Sequence, residues 1–219
     1  MACRVKIFVV KLLLGNYFCG YANFLAQNGD ECFMIDLTEK TLGVERVFEG
    51  RALTIDIASI ELPNGRRSTR EIVRHRGAAV ILGERPDGKW VLIYQYRRAV
   101  EETLLEVVAG CLEEGESVEE GARREMEEES GYQVLSIEKF GEILPCPGYS
   151  EERLHLFYAK LPQKPQEQNP DFDENLVVII MTADEIYDAI DSGKMIDAKS
   201  ITAWLLWQRK NREQLTIDS

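Results

Sequence analysis

Residues 110–132 read GCLEEGESVEEGARREMEEESGY, and the spacing of the acids in this run constrains the fold more than any other stretch. Ser117 and Glu120 have the S-x-x-E form of a capping box, which predicts a helix starting at Val118. Gly131 is a suitable left-handed stop. On such a helix Glu129 lies about 40° and Glu128 about 60° from Glu125, since each residue turns the helix by about 100°. Positions three and four apart share a face, so three carboxylates point to one side. Like charges that close repel and cost stability unless a cation sits among them. Oxygen-only ligands on a rigid scaffold suit hard divalent ions such as Mg²⁺ or Mn²⁺. Val118, Ala122 and Met126 recur every four residues and give the helix a thin apolar stripe to lay on a sheet. Gly110 and Gly115 mark a loop before it.

The rest of the chain supplies that sheet. Residues 44–73 read as two or three strands, with a period-two run of Leu53, Ile55, Ile57 and Ser59 and a turn at Pro63-Asn64-Gly65. Strands follow at 77–82 (GAAVIL), 90–96 (WVLIYQY) and 103–108, the first two separated by a turn at 85–88. Beyond the acidic helix, a strand lies within 151–161 and a Pro- and Gln-rich loop runs to Asn175. The apolar run 176–181 comes next, then helices at 182–192 and 201–209. The order predicts one α/β domain, a mixed sheet between helices, preceded by a small N-terminal β element.

Composition narrows the function. The chain has 219 residues, 45% of them hydrophobic, enough for one sizeable core with an appended piece. A net charge of −12 argues against a general nucleic-acid binder, which needs basic surface. An anionic substrate is still compatible, because bound metal ions invert the local field. Cys3, Cys19, Cys32, Cys111 and Cys146 form no C-x-x-C pair, which points to reduced thiols in the cytoplasm. Val5 to Ala26 is apolar behind Arg4 and Lys6, but Lys11, Gly15, Asn16 and Gly20 break it, and it is too short to span a membrane. Three readings of residues 1–43 stand: an extension without catalytic role, with Met34 as the natural start; an extra packed strand or helix; or a targeting segment.

Gly110, Glu116 and the run Arg124-Glu125-Met126-Glu127-Glu128-Glu129-Ser130-Gly131-Tyr132 together resemble the Nudix box at every defined position. The similarity runs from about Glu45 to Arg209 and is to the ADP-ribose pyrophosphatase branch. It is carried by Gln95-Tyr96-Arg97, by Glu106 and Ala109-Gly110, by Pro147-Gly148 and by Gly193-Lys194-Met195-Ile196-Asp197. Several of these features are shared with GDP-mannose pyrophosphatases. The resemblance implies a Nudix-type α/β/α sandwich over residues 74–212. It also implies a homodimer, with 44–73 as the dimerising β element.

The same resemblance implies metal-dependent hydrolysis of a nucleoside diphosphate linked to another moiety. ADP-ribose, cut to AMP and ribose 5-phosphate, is the first expected substrate. GDP-mannose or another nucleotide sugar is the second, and nucleoside triphosphate cleansing the third. A catalytically silent ligand-sensing module is the alternative from another class; an intact box argues against it. Glu125 and Glu129 are the expected metal ligands, with Glu128 bridging ions or ordering a water, and Glu106 and the Ala109 carbonyl as further ligands. Arg124 is assigned to fixing a glutamate rotamer and Glu116 to bracing loop against helix. Arg97 resembles an arginine that grips the diphosphate, with Arg98 able to exchange roles. Arg51 and Glu71 are candidate substrate contacts. The general base is expected at Glu174, with Glu151 and Glu152 competing, or no base outside the box. His75 and His155 are expected to be structural. Tyr149 and Phe172 either stack on a nucleobase or simply pack.

Overall fold

The computed structural model describes residues 24–28, 31–51, 53–166 and 175–217. The chain divides into two units, one up to Ile72 and one from Val73. In the first, β1 (Phe24–Asn28) and β2 (Glu31–Ile35) pair antiparallel. A separate three-stranded sheet has the order β3 (Lys40–Glu49), β4 (Thr54–Glu61), β5 (Arg67–Arg74). Its first strand begins at Lys40, ahead of the predicted Val44. The Asn64-Gly65 turn forms as expected, with Gly65 at φ +78° and Leu62 and Arg66 bonded across its base at 2.8 Å. The inward face of β4 differs from the expected one. Asp56, Ala58 and Ile60 are buried, Ile55 and Ile57 only partly, and Leu53 and Ser59 are exposed. Either alternate set satisfies a period of two. Arg46 donates to Asp56 at 3.1 Å, which offsets the cost of turning the acid inward.

The second unit holds β6 (Ala78–Glu84), β7 (Trp90–Arg97), β8 (Glu102–Cys111), α1 (Val118–Ser130), β9 (Ser136–Ile143), β10 (Leu154–Lys160), β11 (Leu176–Met181), α2 (Ala183–Asp191) and α3 (Ala198–Ile217). The strand order is β11-β7-β8-β6-β10-β9. β6 and β10 run parallel and the other pairs antiparallel, so the sheet is mixed. Ala79, Ile81, Val91, Ile93 and Val108 pack with Ala122 and Met126 of α1. Val80, Leu82, Trp90, Leu92, Leu105 and Val107 pack with Ile186 of α2 and Ala203 and Trp204 of α3. Both faces are covered, which is why the central strands read as unbroken apolar runs. Trp204 meets Trp90 edge-on at 4.9 Å and fixes α3 against the sheet. The architecture is an α/β/α sandwich.

One irregularity in this sheet positions the site. β6 and β7 pair only at their hairpin base, Gly83 with Val91 and Glu84 with Trp90. Beyond that they splay, and β8 enters between them. It pairs with β6 over Ala78–Ile81 and with β7 over Leu92–Arg97. β8 therefore runs on to Cys111, past the predicted end at Val108. Ala109 and Gly110 are strand residues, not loop. β9 was not anticipated either: it is an edge strand, mostly solvated, and Glu138, Lys139 and Glu142 blur its alternation. α3 starts three residues early because Asp197 accepts from the Ser200 amide at 3.0 Å and acts as its cap. Among the described residues no helix is long and apolar enough to cross a membrane.

Candidate active site

The helix that carries the acids is fixed at both ends. Ser117 accepts from the Glu120 amide at 3.3 Å and Glu120 accepts from the Ser117 amide at 2.8 Å, a closed capping box. Gly131, at φ +72°, donates to the Glu127 carbonyl and ends the helix. Ala122 and Met126, both fully buried, set the rotation. Burying the methionine contributes about 1.5–3 kcal/mol. Glu125 and Glu129 are thereby turned into the sheet, at 8% and 1% exposure, while Glu128 stays half-buried at the margin.

Arg124 is the hub of the first cluster. Its Nη1 donates to Glu125 at 2.8 Å and to Glu128 at 2.9 Å. Its Nη2 donates to Glu116 at 2.9 Å and to the Cys111 carbonyl at 3.0 Å, and Nε reaches Glu116 at 3.2 Å. The guanidinium pKa is raised, first by the Glu116 hydrogen bonds. Glu116 is held below the usual carboxylate range by the same contact, and it also accepts from the Glu113 amide. Loop, strand end and helix are thus tied by one side chain. Arg124 offsets part of the repulsion between Glu125 and Glu128.

The second cluster lies on β8. Glu106, at 1% exposure, receives a two-pronged grip from Arg97 at 2.8 and 2.7 Å and a further hydrogen bond from Lys199 of α3. Burial pushes the Glu106 carboxyl up, but Arg97 and Lys199 outweigh it and hold the group below the usual range. Arg97 is raised, chiefly by its hydrogen bonds to Glu106, and it also feels the charge of Glu129. Glu129 in turn accepts from the Ala109 amide at 3.3 Å. The clusters meet across Ala109 and Gly110. A Cβ on Gly110 would run into the Glu125 carboxylate, so only glycine lets that acid lie flat on the strand.

Among the described residues no three acidic, histidine or cysteine side chains converge closely enough to hold an ion as they stand. Their chemistry nevertheless fits a hard divalent cation. The donors are all oxygen, two of the carboxylates are almost wholly buried, and buried charges in proteins are paired or coordinate metals. Glu106, Glu125, Glu129 and the Ala109 carbonyl would hold it.

The other predicted residues fall in several places. Arg98 is exposed and pairs with Glu101 at 3.2 Å, so geometry separates it from Arg97. Arg51 follows β3 and Glu71 lies on β5, both exposed, and both belong to the first unit. Glu174 and Phe172 lie outside the described residues. Glu151 pairs with Arg74 at 2.7 Å, and Glu152 approaches His75 at 3.7 Å. Tyr149 is exposed. His75 accepts from the Gly77 amide at 3.0 Å, and His155 pairs with Glu142 at 3.0 Å. Both histidines hold local structure. Lys199 went unnoticed in the sequence. Its signal was a cation in the first turn behind an Asp cap, where the helix dipole opposes it.

A family model described as NUDIX domain matches residues 73–205. The chain belongs to the Nudix family. This Nudix hydrolase is 36% identical over 182 residues to an ADP-ribose pyrophosphatase of Bacillus subtilis, covering 83% of this chain and 98% of that protein. It is 38% identical over 166 residues to a methanol dehydrogenase activator of Bacillus methanolicus, covering 75% and 90%. It is 31% identical over 183 residues to a GDP-mannose pyrophosphatase of Cronobacter sakazakii, covering 76% and 91%. A crystal structure described as an ADP compounds hydrolase superposes with a TM-score of 0.71 at 24% identity, over 82% of this chain and 98% of that one, and supports the fold. Nudix hydrolases generally use divalent cations, and the oxygen donors above are of that kind.

Proposed function

We propose that this Nudix hydrolase cleaves the diphosphate of ADP-ribose, giving AMP and ribose 5-phosphate, with Mg²⁺ as its ion and Mn²⁺ as a substitute. The observation that carries the reading is the seating of buried Glu125 and Glu129 of α1 against Gly110 and the Ala109 amide of β8, the strand that also carries Glu106. The match to the B. subtilis ADP-ribose pyrophosphatase over nearly its whole length supports the substrate. A bound divalent ion would neutralise the diphosphate and acidify a water.

The chain's own residues do the positioning. Arg124 holds Glu125 and Glu128 in their rotamers. Arg97 has a planar fork suited to phosphate oxygens and would grip the diphosphate. Arg51 and Glu71 are proposed as substrate contacts of the first unit. Glu174 is the first choice for the base, with Glu151 and Glu152 behind it. Residues 44–73 would serve homodimerisation, in a cytoplasmic enzyme. A GDP-mannose activity is the second reading, favoured by the C. sakazakii relative.

The test is a panel of ADP-ribose, GDP-mannose, ADP-glucose and 8-oxo-dGTP with Mg²⁺. ADP-ribose should turn over fastest. Cleavage of the triphosphate alone would overturn the proposal.

A further inference from the structure

The start of α3 is clamped onto two consecutive residues of β8. Lys199 donates to Glu106, and Ser200, fully buried, takes the Val107 amide at 2.9 Å. That amide lies one residue beyond the end of the β6–β8 ladder, where the strands splay. Asp197 collects the other end of the network. It accepts from Lys199 at 3.0 Å and from the Ser200 amide at 3.0 Å, and Ser200 Oγ donates to it as well.

Two cations and two anions therefore share one part-buried site: Arg97 and Lys199 with Glu106 and Asp197. Both oxygens of Glu106 are already engaged. If Glu106 is to face a divalent ion, two fixed positive charges in contact with it oppose the arrival. Arg97 has another destination in the substrate diphosphate. Among the described residues Lys199 has Asp197 as its other partner. A lysine in the first turn of a helix also works against the helix dipole, so helix stability does not account for it.

We infer that Lys199 is a positioning residue that competes with the divalent ion for Glu106, and that Asp197 sets the strength of the competition by drawing Lys199 away. This rests on the proposed role of Glu106 as an ion ligand. Removing the competitor tightens ion binding. Removing the charge on Asp197 leaves Lys199 wholly on Glu106 and weakens it. The two variants move one equilibrium in opposite directions, which a loss of local structure would not do.

The experiment is calorimetric titration of Mn²⁺ into the full chain and its variants, without substrate. Lys199→Met should bind Mn²⁺ about tenfold more tightly than the parent, the scale of one close charge in a partly screened site. Lys199→Arg should return to the parent value, and Asp197→Asn should bind more weakly. Should Lys199→Met fail to fold, the Asp197→Asn result decides. Unchanged affinity in Lys199→Met, or in Asp197→Asn where that result decides, overturns the inference while the parent still binds. Absence of Mn²⁺ uptake by the parent would instead sink the ion role of Glu106 itself.

Discussion

The Glu125 carboxylate occupies the volume in which a side chain on residue 110 would stand, so Gly110 and Glu125 are fitted to each other across the strand–helix gap. The glycine does not sit at a positive φ; its need is for space alone. Gly110→Ala should therefore push Glu125 off the strand and strain Arg124 behind it. The clash falls on the far end of a flexible side chain, so stability should change little. ADP-ribose turnover should fall while the melting temperature stays near that of the parent. An alanine variant that turns over like the parent would show that Glu125 needs no close seat on β8.

Glu129 is nearly fully buried and accepts from the Ala109 amide. Glu129→Gln keeps an oxygen for that amide and nearly the same volume, so the fold should persist. The negative charge is lost, and with it the proposed ion contact. Turnover of ADP-ribose should fall at least about 100-fold, the upper end for loss of a contact that merely supports a ligand. Equal rates for variant and parent would remove Glu129 from the chemistry.

Arg124 pairs with Glu116, Glu125 and Glu128 at once and offsets one of their three charges. Arg124→Met should destabilise the protein by about 2 kcal/mol, the scale of losing hydrogen bonds to charged groups. The acids then left facing one another should welcome another cation. Millimolar Mn²⁺ should raise the melting temperature of the variant more than that of the parent. An equal rise in both would mean that the three acids do not share their field.

The legible parts of the chain were those in which one local rule acted alone. Ser117 and Glu120 announce a helix start because a capping box needs only its own four residues. The β6 run is apolar throughout because both its faces are covered. Reading failed where a distant partner decided. Nothing near Gly110 says that β8 continues through it; the partner is Ala79 on β6. Asp56 faces inward with Arg46, ten residues away, donating to it. Lys199 gains its role from Glu106, which lies far off in sequence. The acids of the box and a pairing of Arg124 with one of them were visible, but which acids Arg124 holds was not, since spacing gives a face and not a rotamer.

His155 on β10 stands opposite Glu142 on the edge strand β9, with Lys139 and Arg153 near it. Its pKa is lowered, first by burial and then by Lys139, with Glu142 only partly opposing. The unfolded imidazole takes a proton near pH 6.5. Above that pH both states are neutral and the full stability is present. As the pH falls below about 6.5, the unfolded chain binds a proton that the folded site resists, so stability declines until His155 in the fold protonates too. Glu142, held low by Arg153 and Lys139, adds a second loss further into the acid range. His155→Gln should flatten the urea midpoint between pH 6.5 and 5 and leave the steeper acid limb in place. If parent and variant midpoints fall in parallel across that window, His155 does not carry the upper transition.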